Sequence, residues 1–343
     1  MKILHIISNE KFTLEYINFI NVNFDNSQHK FYIFGNKKFN KYQSNIRIFK
    51  KKDIFLLISE MRSSNKIILH GLYPSKIIIL LFFQKKLLNK TYWLIWGGDL
   101  YSYKDRNKKF NTKIYEIFKR SVIRNIKGLI SPIVGEYKLV KKWYNANGRY
   151  FNCIGYPSNV FKNDKNVNIK KDDKIEYIQV GNSSDPSNNH LEIFSKLEKY
   201  KNQNIKIVCP LSYGPKLYRN TVLAEGERIF KDKFVPLLKF LDRESYIEIL
   251  SNIDIAIFNH NRQQAMGNII TLLGMGKKVY IRNDITTWDF FNKHYIKIFN
   301  SNSNLDQLLS CMNEKDKQKN SKIIKDLFSI YNLKKQWNDV FEY

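Results

Sequence analysis

The densest group of side chains that could do chemistry is the polar hexapeptide Asn259 to Gln264. It follows Ile253–Phe258, an apolar run that predicts a buried strand, and it precedes an apolar helix that begins at Gly267 and Asn268. A helix start of this kind offers unpaired backbone N–H groups and the positive end of the helix dipole. With Arg262 beside it, the segment predicts a phosphate site. The alternative is an ordinary polar connection between a strand and a helix.

Two further predicted strands in the second half end in polar loops, over residues 181–190 and 210–214, and the second loop leads into a helix that contains Tyr218. Glycine followed by small hydroxyl and amide side chains supplies many donors to a bound oxyanion. Because the carboxyl ends of parallel strands meet at one edge of a sheet, we expect the three loops to converge. A surface loop with a Ser or Asn cap is an equal alternative for residues 181–190. The candidate donor-binding residues are Gly181, Asn182, Ser183, Asp185, Asn188, His190, Tyr213, Tyr218, Arg262, Gln263, Gln264, Gly267 and Asn268.

Two strand ends in the first half also carry unusual residues, His70-Gly71 and Trp96-Gly97-Gly98-Asp99-Leu100-Tyr101. Both segments are expected at the carboxyl edge of a parallel sheet, where ligands bind. Asp99 is the first candidate for the general base that takes the proton of an acceptor hydroxyl, and His70 is the second. The alternatives are a helix cap for Asp99 and a structural hydrogen bond for His70. The candidate acceptor-binding residues are Gly71, Trp96, Gly97, Gly98 and Tyr101.

The elements that must position these loops follow an α/β pattern. Short apolar runs rich in Ile, Tyr and Phe alternate with helical patterns, which predicts parallel sheets. The 343 residues are enough for two domains, and a Lys- and Asn-rich stretch without apolar periodicity separates them. We expect a first domain over residues 1–157, a linker over 158–174, a second domain over 175–320, and a C-terminal helix over 321–343 that can cross back to the first domain.

The net charge of +27 predicts attraction to anions such as nucleic acid, acidic lipid or phosphorylated substrates. The basic residues are dispersed, and the sequence has neither zinc-ligand spacing nor an RNA-binding signature, so we expect no nucleic-acid partner. The longest apolar run, Ile77–Phe83, is too short to cross a bilayer, which takes ~20 residues. Membrane contact is therefore expected to be peripheral. The segment Ser75–Lys90 fits either a core helix with a solvated basic end or a surface that rests on anionic lipid.

Taken together, the loops resemble those of glycosyltransferase family 56, which has the GT-B fold. That family comprises TDP-N-acetylfucosamine:lipid II N-acetylfucosaminyltransferases of enterobacterial common antigen assembly. The resemblance rests on the two first-half segments, on Gly181-Asn182-Ser183 with Asp185, Ser187, Asn188 and His190, on Tyr213 and Tyr218, and on Arg262-Gln263-Gln264 with Gly267.

The resemblance implies two Rossmann-like domains with parallel sheets that face a central cleft. The second domain would bind a nucleotide sugar, dTDP-linked, and the first would accept an undecaprenyl-diphosphate-linked oligosaccharide. The enzyme would be peripheral at the cytoplasmic face of the inner membrane. A GT-B enzyme with another donor sugar or another acceptor is the competing interpretation.

One departure from the wider GT-B pattern concerns the donor nucleotide. Many GT-B enzymes have a glutamate just before the Gly-Asn helix start and another eight positions later, where the second holds the ribose hydroxyls. Here those positions are Gln264 and Leu272. Since leucine accepts no hydrogen bond, we expect a deoxyribose nucleotide. No Asp-x-Asp motif lies where it could be assigned to a metal, so we also expect metal-independent catalysis, with the retaining or inverting outcome left open.

Overall fold

The computed structural model describes residues 1–35, 44–72, 74–105, 110–162, 172 and 174–343. The chain divides into two compact units. Unit 1 comprises Met1–Val160 together with Ile330–Tyr343, and unit 2 comprises Phe161–Ser329. Most of the predicted linker, residues 163–171 and 173, lies outside the described residues.

Unit 1 is built on a seven-stranded sheet in which every neighbouring pair is parallel. The strands are β1 Ile3–Ser8, β2 His29–Phe34, β3 Ile46–Ile48, β4 Lys66–His70, β5 Thr91–Leu94, β6 Gly128–Ile130 and β7 Arg149–Phe151. The helices between them are α1 Thr13–Asn23, α2 Ile54–Ser63, α3 Ser75–Phe83, α4 Gly98–Tyr101, α5 Phe110–Asn125 and α6 Val134–Tyr144. The order β3-β2-β1-β4-β5-β6-β7 reverses between β1 and β4, which is the switch point where doubly wound sheets bind ligands.

Unit 2 repeats this plan with six parallel strands in the order β10-β9-β8-β11-β12-β13. The strands are β8 Glu176–Val180, β9 Ile205–Pro210, β10 Phe234–Leu237, β11 Ile255–Phe258, β12 Lys278–Ile281 and β13 Phe299–Asn300. The helices are α7 His190–Leu197, α8 Lys216–Phe230, α9 Arg243–Asn252, α10 Met266–Gly274, α11 Thr286–Lys293 and α12 Glu314–Leu327. The order reverses between β8 and β11, so two of the three polar loops follow the strands at this switch point.

The helix predicted over residues 321–343 is two helices, because the chain leaves helical geometry at Phe328. The Phe328 carbonyl accepts a hydrogen bond from the backbone N–H of Phe161 at 2.9 Å. The last helix, α13 Ile330–Glu342, belongs to unit 1. There the indole N–H of Trp337 donates to the Gly155 carbonyl at 2.9 Å, and the Trp337 ring is fully buried. The ammonium group of Lys66 donates to the Val340 carbonyl at 2.8 Å near the helix end, where cations are favoured.

The central strands are buried on both faces, as their continuous apolar runs predict. In β4, for example, Ile67 and Ile68 are completely inaccessible to solvent. The core of unit 1 joins the sheet to side chains of α2, α3, α5 and α6, and a second core in unit 2 joins its sheet to α7 and α8. Within the described ranges, no helix is long and apolar enough to cross a bilayer.

Candidate functional site

Three loops of unit 2 meet at the carboxyl edge of its sheet, after the adjacent strands β9, β8 and β11. The amide of Asn182 donates to the Tyr213 hydroxyl at 2.8 Å, which joins the first two loops. The amide of Gln264 donates to Asn182 Oδ1 at 3.2 Å, which brings in the third loop. The hydroxyl of Ser187 also donates to Gln264 Oε1 at 2.8 Å. One connected polar surface therefore contains residues that are far apart in the sequence.

His260 lies at the centre of this surface and is not among the site residues predicted from the sequence. Its Nε2 lies 2.8 Å from Asn188 Oδ1 and 3.1 Å from Asn182 Oδ1. Since both partners are amide oxygens, Nε2 carries the proton and donates to them. Burial, aided by the charge of Arg262, lowers the pKa of His260 to about 3, so the ring is neutral at physiological pH. Its position two residues beyond a strand end was the one signal that could have identified it.

Gly181 and His190 form a close pair that requires the glycine. Gly181 has φ of +68°, and a Cβ at this position would lie 2.5 Å from His190 Nε2 and 2.8 Å from Asn188 Oδ1. The Tyr218 hydroxyl accepts from the His190 backbone N–H at 3.1 Å and lies 3.4 Å from His190 Nδ1. When the Tyr218 hydroxyl donates to His190 Nδ1, the ring proton lies on Nε2. Among the described residues, His190 Nε2 has no hydrogen-bond partner. Burial lowers the pKa of His190 to about 4.

Other residues of the first loop shape the backbone. The Asp185 carboxylate accepts from the Ser187 backbone N–H at 2.9 Å and begins a short turn. The Asn188 amide donates to the Asp185 carbonyl at 2.9 Å and to the Ser183 hydroxyl at 3.3 Å. These bonds explain why small polar residues follow the strand at this point. They also fix Asn188 Oδ1 as the acceptor at the centre of the site.

The third loop ends in a strained helix start. Ala265, which directly precedes α10, has φ of +58°, a conformation that is costly for a residue with a Cβ. Gly267 and Asn268 lie in the first turn of α10, and the Asn268 amide donates to the Tyr246 hydroxyl at 2.9 Å. Tyr246, on α9, is a second residue of the site that is not among those predicted from the sequence. Leu272 is fully buried.

Arg262 gives this surface a positive charge. Its Nη1 donates to the Gln263 carbonyl at 3.3 Å, and no carboxylate among the described residues pairs with it. Its charge contributes to the lowered pKa of His260, which places the two groups near each other. The chemistry of this arrangement, a guanidinium, an imidazole and a helix start, fits an anion. The binding roles of the individual residues stay predictions.

Asp99, the candidate base of unit 1, is only 3% exposed and is surrounded by N–H donors. Its Oδ2 accepts from the Trp93 indole at 2.7 Å and from the Leu72 backbone at 3.1 Å. Its Oδ1 accepts from the backbone N–H groups of Trp96 at 3.0 Å and Leu100 at 2.9 Å. Burial raises the pKa of Asp99, and these hydrogen bonds oppose that shift. The geometry favours a carboxylate that ties the loops after β4 and β5 together, and its catalytic role stays a prediction.

The other selected residues of unit 1 divide between the sheet edge and the core. Gly71 and Gly97 have φ of +75° and +79° at the strand ends, and Gly98 begins α4. The Trp96 indole donates to the Tyr156 hydroxyl at 2.8 Å. Tyr101 points into the core, where its hydroxyl donates to Glu136 at 3.0 Å. Its predicted contact with an acceptor remains untested.

His70 belongs to a buried chain of hydrogen bonds that the sequence did not reveal. Its Nδ1 lies 2.8 Å from the Tyr156 hydroxyl, and its Nε2 lies 3.2 Å from His5 Nδ1. His5 Nε2 in turn lies 3.0 Å from His29 Nδ1. Burial lowers the pKa of all three histidines, to about 3 for His70 and to about 4 for His29. The catalytic role of His70 likewise stays a prediction.

This histidine chain predicts that unit 1 loses stability in mild acid. The histidine pKa values in the folded unit lie below the unfolded value of about 6.5, so the unfolded chain binds protons more readily. The contribution of these histidines to the free energy of unfolding is therefore complete above about pH 6.5, and it is lost as the pH falls towards their pKa values in the folded unit. In this pH window each histidine lowers the free energy of unfolding by up to about 1.4 kcal/mol per pH unit. Melting curves between neutral pH and about pH 5 measure the slope, and His29→Gln is expected to reduce it. An unchanged slope in that variant would contradict the assignment.

In the part of the chain that the structure describes, no three His, Cys, Asp or Glu side chains are grouped so that they could hold a metal ion. The expectation of metal-independent catalysis stays a prediction.

The two doubly wound parallel sheets give this chain the fold of GT-B glycosyltransferases. It is similar to sucrose-phosphate synthase from Thermosynechococcus elongatus, with a TM-score of 0.73, 9% identity and coverage of 100% of this chain and 98% of that one. It is also similar to Anabaena HepE in complex with UDP and glucose, with a TM-score of 0.70, 12% identity and coverage of 100% and 99%. A third similar structure is UDP-forming α,α-trehalose-phosphate synthase from Burkholderia xenovorans, with a TM-score of 0.67, 9% identity and coverage of 99% and 98%. The chain belongs to glycosyl transferase group 56, the 4-alpha-L-fucosyltransferase family, whose model matches residues 6–343. It is a glycosyltransferase, as the resemblance in its loops implied.

Proposed function

We propose that this glycosyltransferase takes its sugar from a dTDP-linked donor held by the three loops of unit 2. The observation that carries the proposal is the set of hydrogen bonds that join the three loops at Asn182. Arg262 lies in the third of these loops, which leads into the α10 start, and the unpartnered His190 Nε2 lies at the end of the first. Each of these groups is suited to a diphosphate oxygen. The complex of Anabaena HepE with UDP and glucose supports a nucleotide-sugar donor for the same fold.

The reaction follows from the needs of sugar transfer. The acceptor hydroxyl forms a new bond to the anomeric carbon, the bond from that carbon to the diphosphate breaks, and the hydroxyl proton goes to a base. Negative charge grows on the departing diphosphate, so fixed positive groups stabilise the transition state more than the ground state. Arg262 and the N–H groups at the start of α10 supply that charge without a metal ion.

We propose N-acetylfucosamine (Fuc4NAc) as the transferred sugar and an undecaprenyl-diphosphate-linked oligosaccharide as the acceptor. The family description, a fucosyltransferase, supports a deoxy sugar. The loop resemblance supports the lipid-linked acceptor and a role in cell-surface polysaccharide synthesis of the enterobacterial common antigen kind. The enzyme then acts as a peripheral protein at the cytoplasmic face of the inner membrane, where its net charge of +27 attracts it to anionic lipid.

The deoxyribose preference is tested by competition among dTDP, dUDP and UDP. Because Leu272 offers no acceptor to a ribose diol, we expect dTDP and dUDP to bind at least about tenfold more tightly than UDP, whose extra hydroxyl loses its water without a partner. The use of dUDP separates the sugar from the base, since it has the deoxyribose of dTDP and the base of UDP. Dissociation constants are measured by calorimetry with each diphosphate.

UDP that bound tenfold more tightly than dUDP would reject the deoxyribose assignment and favour a GT-B enzyme with another donor. A chain that bound none of the three diphosphates would reject the donor site itself.

A further inference from the structure

The outward sides of α3 and α5 in unit 1 expose large apolar side chains. Phe83 is 69% exposed and Ile117 is 63% exposed, and Ile79 and Ile114 are also exposed. The two helices are in contact, because the ring of Phe118 on α5 lies 4.8 Å from that of Phe82 and 6.4 Å from that of Phe83. These four residues, Ile79, Phe83, Ile114 and Ile117, form one surface, which we call the α3–α5 face.

The apolar residues of this face are additional to those that the fold needs. Other residues of these helices already pack in the core of unit 1: Ile77, Ile78 and Leu81 of α3, and Val122 and Ile123 of α5. Surface helices of globular proteins normally place polar residues on the side away from the core. Contiguous exposed apolar residues with a polar rim are typical of an interaction surface.

The rim of the α3–α5 face is basic. It contains Lys76, Lys85, Lys86, Lys113, Arg120 and Arg124. No acidic residue occurs between Ser75 and Lys90, and the single glutamate of α5, Glu116, is largely covered and lies 3.9 Å from Arg120. An apolar centre with a ring of cations matches an anionic lipid surface, which attracts basic residues and accommodates exposed apolar ones.

Helix α5 also lines a groove beside the exposed apolar residues. The groove has a volume of about 540 Å³, and its lining residues are Glu116, Ile117, Arg120, Ser121, Arg124, Asn125 and Asn147. Glu116 offsets part of the positive charge, because it pairs with Arg120 at 3.9 Å, but two guanidinium groups next to an amide leave the groove net positive and suited to a phosphate group. The groove adjoins Ile117, so a phospholipid could place its phosphate there while its neighbours contact the apolar residues.

We propose that the α3–α5 face docks unit 1 on an anionic phospholipid bilayer. Phe83 and Ile117 enter the boundary between headgroups and acyl chains, the lysines lie among the headgroups, and the Arg120–Arg124 groove holds a phosphate. The proposal rests on the proposed function in one respect, since a lipid-linked acceptor has to be met at a membrane.

The test is flotation of the full chain with vesicles of phosphatidylcholine alone and with vesicles that also contain phosphatidylglycerol. We expect binding only to the anionic vesicles and weakening by salt. Phe83→Ser combined with Ile117→Ser is expected to lower the partition coefficient at least about tenfold. The matched control is Leu14→Ser combined with Val22→Ser on α1, which removes two exposed apolar residues from a helix without Lys or Arg. That control is expected to bind as the parent does.

The charge requirement is tested by Lys86→Gln combined with Arg124→Gln, for which about a tenfold loss is expected. Its control, Lys322→Gln combined with Lys325→Gln on α12 of unit 2, removes the same net charge and is expected to have much less effect. Equal losses in both pairs would show that net charge alone attracts the protein and would overturn the docking surface.

Two further outcomes would overturn the proposal: equal binding to both vesicle types, and a dimer in light scattering that the Phe83→Ser, Ile117→Ser variant converts to a monomer without a change in vesicle binding. Binding of dTDP is measured in parallel without vesicles. Loss of vesicle binding with normal dTDP affinity supports this surface. A parent chain that binds vesicles but not dTDP supports the surface and rejects the proposed donor.

Discussion

Asp99→Asn is expected to destabilise unit 1 by about 2–5 kcal/mol and to reduce sugar transfer mainly through that loss of structure. Both carboxylate oxygens of Asp99 accept two N–H groups each. An asparagine replaces one oxygen with an NH2 group, which would face two donors. Whichever way the amide is turned, two N–H groups lose their acceptor. They are either those of the Trp93 indole and the Leu72 backbone or those of the Trp96 and Leu100 backbone. If the NH2 group replaces Oδ2, the loop after β4 loses the bond from Leu72; if it replaces Oδ1, the loop after β5 loses the bonds from Trp96 and Leu100.

The experiment distinguishes this role from that of a general base. Denaturant unfolding gives the change in stability, and kcat is measured well below the melting temperature, where the variant is folded. A base would give normal unfolding with turnover lowered by about a hundredfold or more. That result would reject the structural role and restore Asp99 as the base. The control Asp339→Asn, an exposed aspartate on α13 of the same unit, is expected to change neither quantity.

How much of the fold could be predicted depends on how strongly each strand is buried. The strands β4 and β12 are central and buried on both faces, so apolar side chains such as Ile67 and Ile68 mark them in the sequence. The edge strands β3 and β13 are short and only partly buried, so their sequences contain no comparable run. Sheet pairing, and not local sequence, makes them strands, so a single sequence does not predict them.

The candidate site divides in a similar way. The topology of parallel sheets is enough to bring the loops at Asn182, Tyr213 and Gln264 together, and they are joined by hydrogen bonds. What a given side chain touches depends on packing between distant segments, which one sequence does not show. His260 was therefore passed over, although it bonds to two asparagines of another loop.

The histidines of unit 1 show the same limit. His70 looked like an isolated histidine at a strand end, and the sequence left a structural hydrogen bond open as its alternative. Its partners, His5 and Tyr156, lie 65 and 86 positions away. The sheet register puts His70 opposite Ile7, two residues beyond His5 on the neighbouring strand. A single sequence gives the two strands but not this pairing.

Arg262→Ala is expected to lower kcat/KM for sugar transfer at least about tenfold, with the larger share of the loss in kcat. Removal of Arg262 breaks no ion pair among the described residues and costs a long hydrogen bond to the Gln263 carbonyl at 3.3 Å, so the fold should be unchanged. Its charge is near the start of α10, where the proposed function puts the departing diphosphate, which gains negative charge in the transition state. The contribution of a fixed cation grows with that charge, which is why the effect on turnover should exceed the effect on substrate binding.

The matched control is Arg228→Ala, which removes an exposed arginine of unit 2 paired with Glu225 at 2.7 Å. An exposed ion pair of this kind contributes little, so transfer and unfolding should both stay near the parental values. Arg262→Lys keeps the positive charge but loses the planar fork, and we expect it to recover only part of the rate. If Arg262→Ala unfolded normally and retained the full kcat/KM, the leaving diphosphate would have to be stabilised by the backbone of the Asn182 loop and the α10 start alone. Arg262 would then have no part in the site.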